Sequence, residues 1–154
     1  MSDARTWRLC LALAAAAGCA SAPPGPSSRR GDAGSAVAEW AKRELGRPYR
    51  LGGRSPETGF DCSGLAWWAH RQAGIEIPPT AETQFREGKK VSRRALRSGD
   101  LVFFSTEHRG PSHVGVYVGN GLFVHAPKTG RAVAREGLEE QYWRARYLGA
   151  RRFS

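Results

Sequence analysis

The pattern of apolar and polar positions changes character halfway along the chain. In the first half, apolar residues recur at helical spacing. "SAVAEWAKRELG", Ser35 to Gly46, sets Val37, Trp40, Ala41 and Leu45 on one face, with Ser35 as N-cap and Gly46 as C-cap. A second helix is predicted from Cys62, or just before it, to Gly74, turning Leu65, Trp68 and Ala69 inward. A short third helix follows Thr80 as its cap. Between the first two lies a loop, "RPYRLGGRSPETGFD", with at most a short extended piece. In the second half the period becomes two. "DLVFFS", "HVGVYVG", "GLFVHA", "RAVAR" and "RYLGARRF" predict five strands, and Asn120-Gly121 predicts a tight hairpin. Helices followed by strands predict an α+β domain over 35–154, its N-terminal helices packed on a five-stranded, mainly antiparallel sheet.

The residues ahead of this domain follow another logic. Arg5 and Arg8 precede the apolar run "LCLALAAAA", and small residues come next, the order of a secretory signal. That run is too short to span a bilayer as a mature helix. Its end, "AAGC", resembles a bacterial lipobox, which implies signal removal after Gly18 and a lipid on Cys19. Ala16 stands where that pattern usually has Leu, so ordinary cleavage after Ala20 is the alternative. The residue after Cys19 is not Asp, and by resemblance to Gram-negative sorting this implies the outer membrane. "ASAPPGPSSRRGDAGS", Ala20 to Ser35, reads as a flexible tether rich in Pro, Ser and Gly.

Composition then removes several classes. At 154 residues, 40% hydrophobic and 25% charged, the chain suits one globular domain. The net charge is +10, and only four of 24 basic residues are lysine. A positive balance favours polyanionic surroundings. Outside the cytoplasm, without a helix-turn-helix or aromatic-basic platform, nucleic acid is excluded as partner, and anionic lipid or wall polymer remains. The basic run Arg93 to Arg97 is a solvated surface or a contact with such polymers. Cys10 leaves with the signal and Cys19 carries the lipid, so Cys62 stands alone in the domain and forms no internal disulfide.

A lone cysteine fits either a small buried apolar residue or a nucleophile. At a helix N-terminus the macrodipole favours the thiolate. Of the four histidines, His113 ends an apolar strand and His125 lies in the next strand across the Asn120-Gly121 hairpin, so the two rings are predicted to be adjacent. A Cys nucleophile, a His base and a polar residue orienting that base form the generalised triad. His70, two helical turns after Cys62, is expected at the solvent or against its helix, and His108 in a polar loop. Three ligands without C-x-x-C or H-E-x-x-H spacing argue against zinc, and the triad requires no cofactor.

Four blocks complete the picture: "PYRLGGRSPETGFDCSGLAWW", "LRSGDLVFF", "SHVGVYVGNGLFVHA" and "YLGARRF". In this order and spacing they resemble the NlpC (NlpC/P-sixty) family of papain-like cell-wall peptidases, over Ser35 to Phe153. The resemblance implies a papain-like core and a cysteine endopeptidase acting on peptidoglycan stem peptides; the alternatives are an inactive wall-binding lipoprotein and an amidase or acyltransferase on the same core. It implies Cys62 as nucleophile, His113 as base, His125 as third polar residue and Tyr49 as an oxyanion donor. It further implies that Asp61 and Ser63 bind the free amine of a stem's first alanine; their local alternative is helix capping. Leu51 replaces a tryptophan common in the family, which bears on pocket shape. The scissile bond is D-Glu–diaminopimelate within a stem or the D-Ala–diaminopimelate crosslink; a single-domain lipoprotein resembles the crosslink-cutting members, and a monomer is expected.

Overall fold

Helix α1 runs from Pro26 to Arg43. It therefore begins well before Ser35, which is an interior residue and not the cap. Val37, Ala38 and Ala41 are fully buried, whereas Leu45, predicted to share their face, is past the helix and exposed. This computed structural model describes the backbone of residues 26–154 and side chains from Ala33 onward. The expected signal peptide (1–18) and Cys19 lie outside the described residues.

The "LGG" loop folds into a two-stranded antiparallel ribbon, β1 (Arg54–Ser55) with β2 (Gly59–Phe60). Helix α2 (Cys62–Gln72) follows directly, with Asp61 as its N-cap. Helix α3 (Ala81–Glu87) opens on a capping box in which Thr80 and Thr83 exchange side-chain and main-chain bonds.

The sheet has six strands where the sequence pattern predicts five. Its order is β3 (Lys89–Val91), β8 (Tyr147–Arg152), β4 (Leu101–Phe104), β5 (His113–Gly119), β6 (Leu122–His125), β7 (Ala134–Gly137), with every pairing antiparallel. The added strand, β3, is an edge strand with two exposed lysines and one buried valine, too short to carry a period. Strand β7 lies later than the apolar "RAVAR" run suggested, because pairing with β6 selects Ala134 to Gly137. The hairpin joining β5 and β6 turns at Asn120 and Gly121, both with positive φ, as an Asn-Gly turn requires.

Helices α1 and α2 cover one face of the sheet, with Val37, Leu65, Trp68, Phe103, Val114 and Val116 between them. The opposite face is covered too. There the short helix α4 (Gln141–Arg146) sets Trp143 on Phe104 and Phe123. Phe103 and Phe104 thus serve opposite faces, as strand alternation demands. Each is fully buried, which contributes on the order of 2–3 kcal/mol. Buried Asp100 ties β4 to β8 through a two-pronged pair with Arg152, at 2.6 and 2.7 Å.

Candidate active site

The N-terminus of α2 is held by close main-chain contact. A Cβ on Gly64 would stand 2.0 Å from the Gly53 carbonyl oxygen, so only glycine allows the first turn to approach the loop. Asp61 fixes the same junction. Its Oδ1 accepts from Gly64 N–H at 2.7 Å and Ser63 Oγ–H at 3.3 Å, and its Oδ2 accepts from Gly52 N–H at 2.8 Å. Asp61 and Ser63 are thereby a cap and its support. Leu51, beside this loop, is 86% exposed.

Cys62 is the first residue of that turn. Burial pushes its thiol up to about 11; the Val114 and Ser63 amides, aimed at the sulfur, pull the other way, and the Asp61 and Glu107 carboxylates add to the rise. The macrodipole expectation of a resting thiolate therefore fails here, because desolvation outweighs the helix end. The Val114 contact also locates the sulfur: it lies against the start of β5, the strand whose first residue is His113.

Strand alternation sends Val114 and Val116 toward the helices and His113 toward the opposite face, where Phe104 and Trp143 lie. Cysteine and imidazole meet the same strand end from two sides. The hairpin register, Val116 opposite Val124, brings His125 alongside Gly115, one same-face step from His113. A Cβ on Gly115 would crowd Phe123 and His125, so the glycine makes the room these rings use. His113 Nε2 and His125 Nδ1 are 2.8 Å apart. That bond occupies His113 Nε2 and leaves Nδ1 as its second ring nitrogen. Burial lowers His113 to about 4, and burial, then His113 and Arg131, lower His125 to about 3, so both rings rest neutral.

Tyr49 packs against the helix-side core, held by its main-chain N–H to Arg131 O at 2.9 Å. Its hydroxyl is raised above the usual phenol value by burial first and then by Cys62, Asp61 and Glu107, so it lies within electrostatic reach of the sulfur. In the first turn, Gly64 and Leu65 N–H are taken by Asp61. The Cys62 N–H has no protein acceptor among the described residues and remains available to a ligand.

The other histidines stand apart. Of the two positions expected for His70, at the solvent or against its helix, it takes the second: it is 1% exposed, its Nδ1 meets Ala66 O at 2.8 Å and its ring abuts Phe153. The C-terminal strand closes over the helix face that sequence left open. His108 lies in an exposed loop, bonded to Arg109 O.

Sequence reasoning missed Glu136. Its Oε2 is 3.1 Å from His125 Nε2 and accepts a hydrogen bond from Trp143 Nε1–H. It falls one residue past the "RAVAR" run predicted as a strand, so the sequence pattern did not single it out. Next to His113 opens a cavity of about 350 Å³, lined by Glu107, Lys128, Arg131, Glu136, Tyr142 and others.

Comparison with known proteins places this arrangement. The chain is 49% identical over 114 residues to the murein DD-endopeptidase MepH of Escherichia coli K12, covering 71% of this chain and 42% of the relative. It is 44% identical over 110 residues to the bifunctional muramidase/DL-endopeptidase CwlT of Bacillus subtilis 168, covering 70% and 33%. The chain thus spans less than half the length of these two relatives. A solved NlpC/P60 family protein from Bacillus cereus ATCC 10987 superposes with a TM-score of 0.72 at 35% identity, over 78% of this chain and 40% of that one. With the NlpC/P60 family model matching residues 46–152, the chain belongs to that family.

Proposed function

We propose that the chain is a peptidoglycan endopeptidase with a cysteine nucleophile. His113 Nδ1 takes the Cys62 thiol proton as the sulfur attacks the scissile carbonyl, and later gives it to the leaving amine. His125 orients His113. Cys62 N–H and the Tyr49 hydroxyl face the developing oxyanion. A thioester forms, and water releases it. Since burial disfavours either charge alone, the proton transfer creates thiolate and imidazolium together, each stabilising the other. The observation that carries this reading is the 2.8 Å His113–His125 bond at the start of β5, the strand whose Val114 amide meets the Cys62 sulfur.

The substrate bond we infer is the D-Ala–diaminopimelate crosslink. The cavity beside His113 bears groups of both signs, suited to the ammonium and carboxylate of diaminopimelate. Asp61 already accepts three hydrogen bonds from its own chain, which disfavours it as a clamp for a free stem amine. From the N-terminal sequence we further infer a monomer anchored through a lipid on Cys19 at the periplasmic side of the outer membrane.

The test incubates the protein and its Cys62→Ala variant with crosslinked peptidoglycan and identifies released fragments by mass. Loss of crosslinked dimers with the wild type alone supports the reading. Release of L-Ala-D-Glu moves the cut into the stem and gives Asp61 and Ser63 the amine. Equal, absent products from both proteins, on walls and on free stem peptides, would sink it.

A further inference from the structure

The polar line that starts at His113 does not end at His125. Its ring is fully buried, and the polar group that Nε2 meets is Glu136 Oε2, at 3.1 Å. The approach lies off the line of a full hydrogen bond, and Nε2 has no other partner among the described residues. Trp143 Nε1–H donates to the same oxygen, while the Trp143 ring stacks on His113, centroids 5.5 Å apart and 23° between planes. Glu136 is itself fixed on β7, opposite Phe123. One carboxylate oxygen is therefore aimed at the back of the histidine pair and held there.

We propose that Glu136 is a positioning residue that sets which nitrogens of His113 and His125 carry protons. One proton lies between His113 Nε2 and His125 Nδ1. If it belongs to His113, then His113 Nδ1 is a lone pair able to accept the thiol proton, and His125 carries its own proton on Nε2. If it belongs to His125, then His113 carries its proton on Nδ1 and cannot act as a base, and His125 Nε2 is a bare lone pair. A carboxylate can only accept. It attracts an N–H on His125 Nε2 and repels a lone pair there, so it selects the first arrangement. Trp143, donating to the same oxygen, holds that oxygen in place.

The charged and titratable groups facing His125 are His113 from β5, Arg131 from the β6–β7 connection and Glu136 from β7. Burial together with His113 and Arg131 keeps the ring neutral, so the choice of tautomer is the freedom that remains. When His113 becomes imidazolium, the chosen arrangement is already the right one, with His125 Nδ1 accepting. No proton need move between the rings.

The catalytic consequence rests on the proposed peptidase reading; the proton placement does not. The test uses the full chain with 15N-labelled histidine, as wild type, Glu136→Gln and Glu136→Leu. Gln can present its carbonyl oxygen where Oε2 sits and accept from both N–H groups, whereas Leu presents no acceptor. Side-chain 15N spectra at neutral pH should show both His113 and His125 protonated at Nε2 in the wild type and in Glu136→Gln. In Glu136→Leu they should shift toward Nδ1–H. On crosslinked muropeptides kcat should fall about 10²–10⁴-fold in Glu136→Leu, with KM little changed, and within about tenfold in Glu136→Gln, by the scale of a triad forced into the wrong tautomer. A wild-type spectrum with His113 protonated at Nδ1 overturns the proposal whether or not the variants fold. So does Glu136→Leu with wild-type tautomers. Wild-type tautomers as proposed in a protein that cleaves no peptidoglycan would leave Glu136 its role and remove the peptidase reading.

Discussion

Replacing Asp61 by alanine removes the bonds that hold the start of α2. Gly64 N–H loses its cap at 2.7 Å, Gly52 N–H loses its acceptor at 2.8 Å, and Ser63 Oγ loses its partner. The cap is worth about 1 kcal/mol. The Gly52 bond, more exposed, adds about 0.5–1 kcal/mol, for a total of about 2 kcal/mol. In a chain of this length that lowers Tm by roughly 6–8 °C. Asn equals Asp as an N-cap through its side-chain oxygen, so Asp61→Asn should cost about half as much. The assay is thermal denaturation by circular dichroism beside kcat and KM on crosslinked dimers. A first alanine still amide-linked to sugar offers no ammonium, so KM for Asp61→Asn should match the wild type. An Asp61→Asn variant as destabilised as Asp61→Ala, or an alanine variant within about 2 °C of wild type, would refute the capping argument.

Three further outcomes follow from the same structure. The Cys62 thiol, pushed up to about 11, should alkylate slowly with iodoacetamide at neutral pH and accelerate toward pH 11; a plateau below pH 8 would indicate a resting ion pair instead. His70 falls from 6.5 to about 4 on burial. A depressed folded value gives about 3 kcal/mol that is full above pH 6.5 and lost as pH falls toward 4. His70→Leu should accordingly flatten the acid side of a Tm-against-pH curve, and an unchanged slope would contradict the burial reading. Tyr49→Phe should lower kcat by about 10–10³-fold with KM and Tm nearly unchanged, on the scale of one lost oxyanion donor; a loss confined to KM would make Tyr49 a binding residue.

Local signals carried the parts of the fold that local physics decides. The Thr80 cap, the Asn120-Gly121 turn and the alternation of "HVGVYVG" are visible in sequence because each depends on neighbours within a few residues. That hairpin also placed His125 near His113, which the structure shows at 2.8 Å. The rest depends on partners far along the chain. Strand β3 exists because β8 pairs with it, through Lys89 opposite Arg152 and Val91 opposite Ala150. His70 is buried because Phe153 closes over it. The Cys62 thiol is raised by packing that no helix-end rule contains. Glu136 was hidden for a related reason: in "AVAREGL" it looks like a solvated charge, and only the pairing of β6 with β7 turns it to His125.

The proposed mechanism has Cys62 attack the scissile carbonyl and hold the acyl group. It is tested most directly by mixing the protein with crosslinked muropeptide dimers, quenching in acid within a turnover and mapping adducts by peptide mass spectrometry. The expected product is a stem peptide joined through its D-Ala carbonyl to Cys62, labile to hydroxylamine and absent from Cys62→Ala. Cleavage of the dimers by Cys62→Ala, or wild-type turnover with no adduct at Cys62, would contradict it.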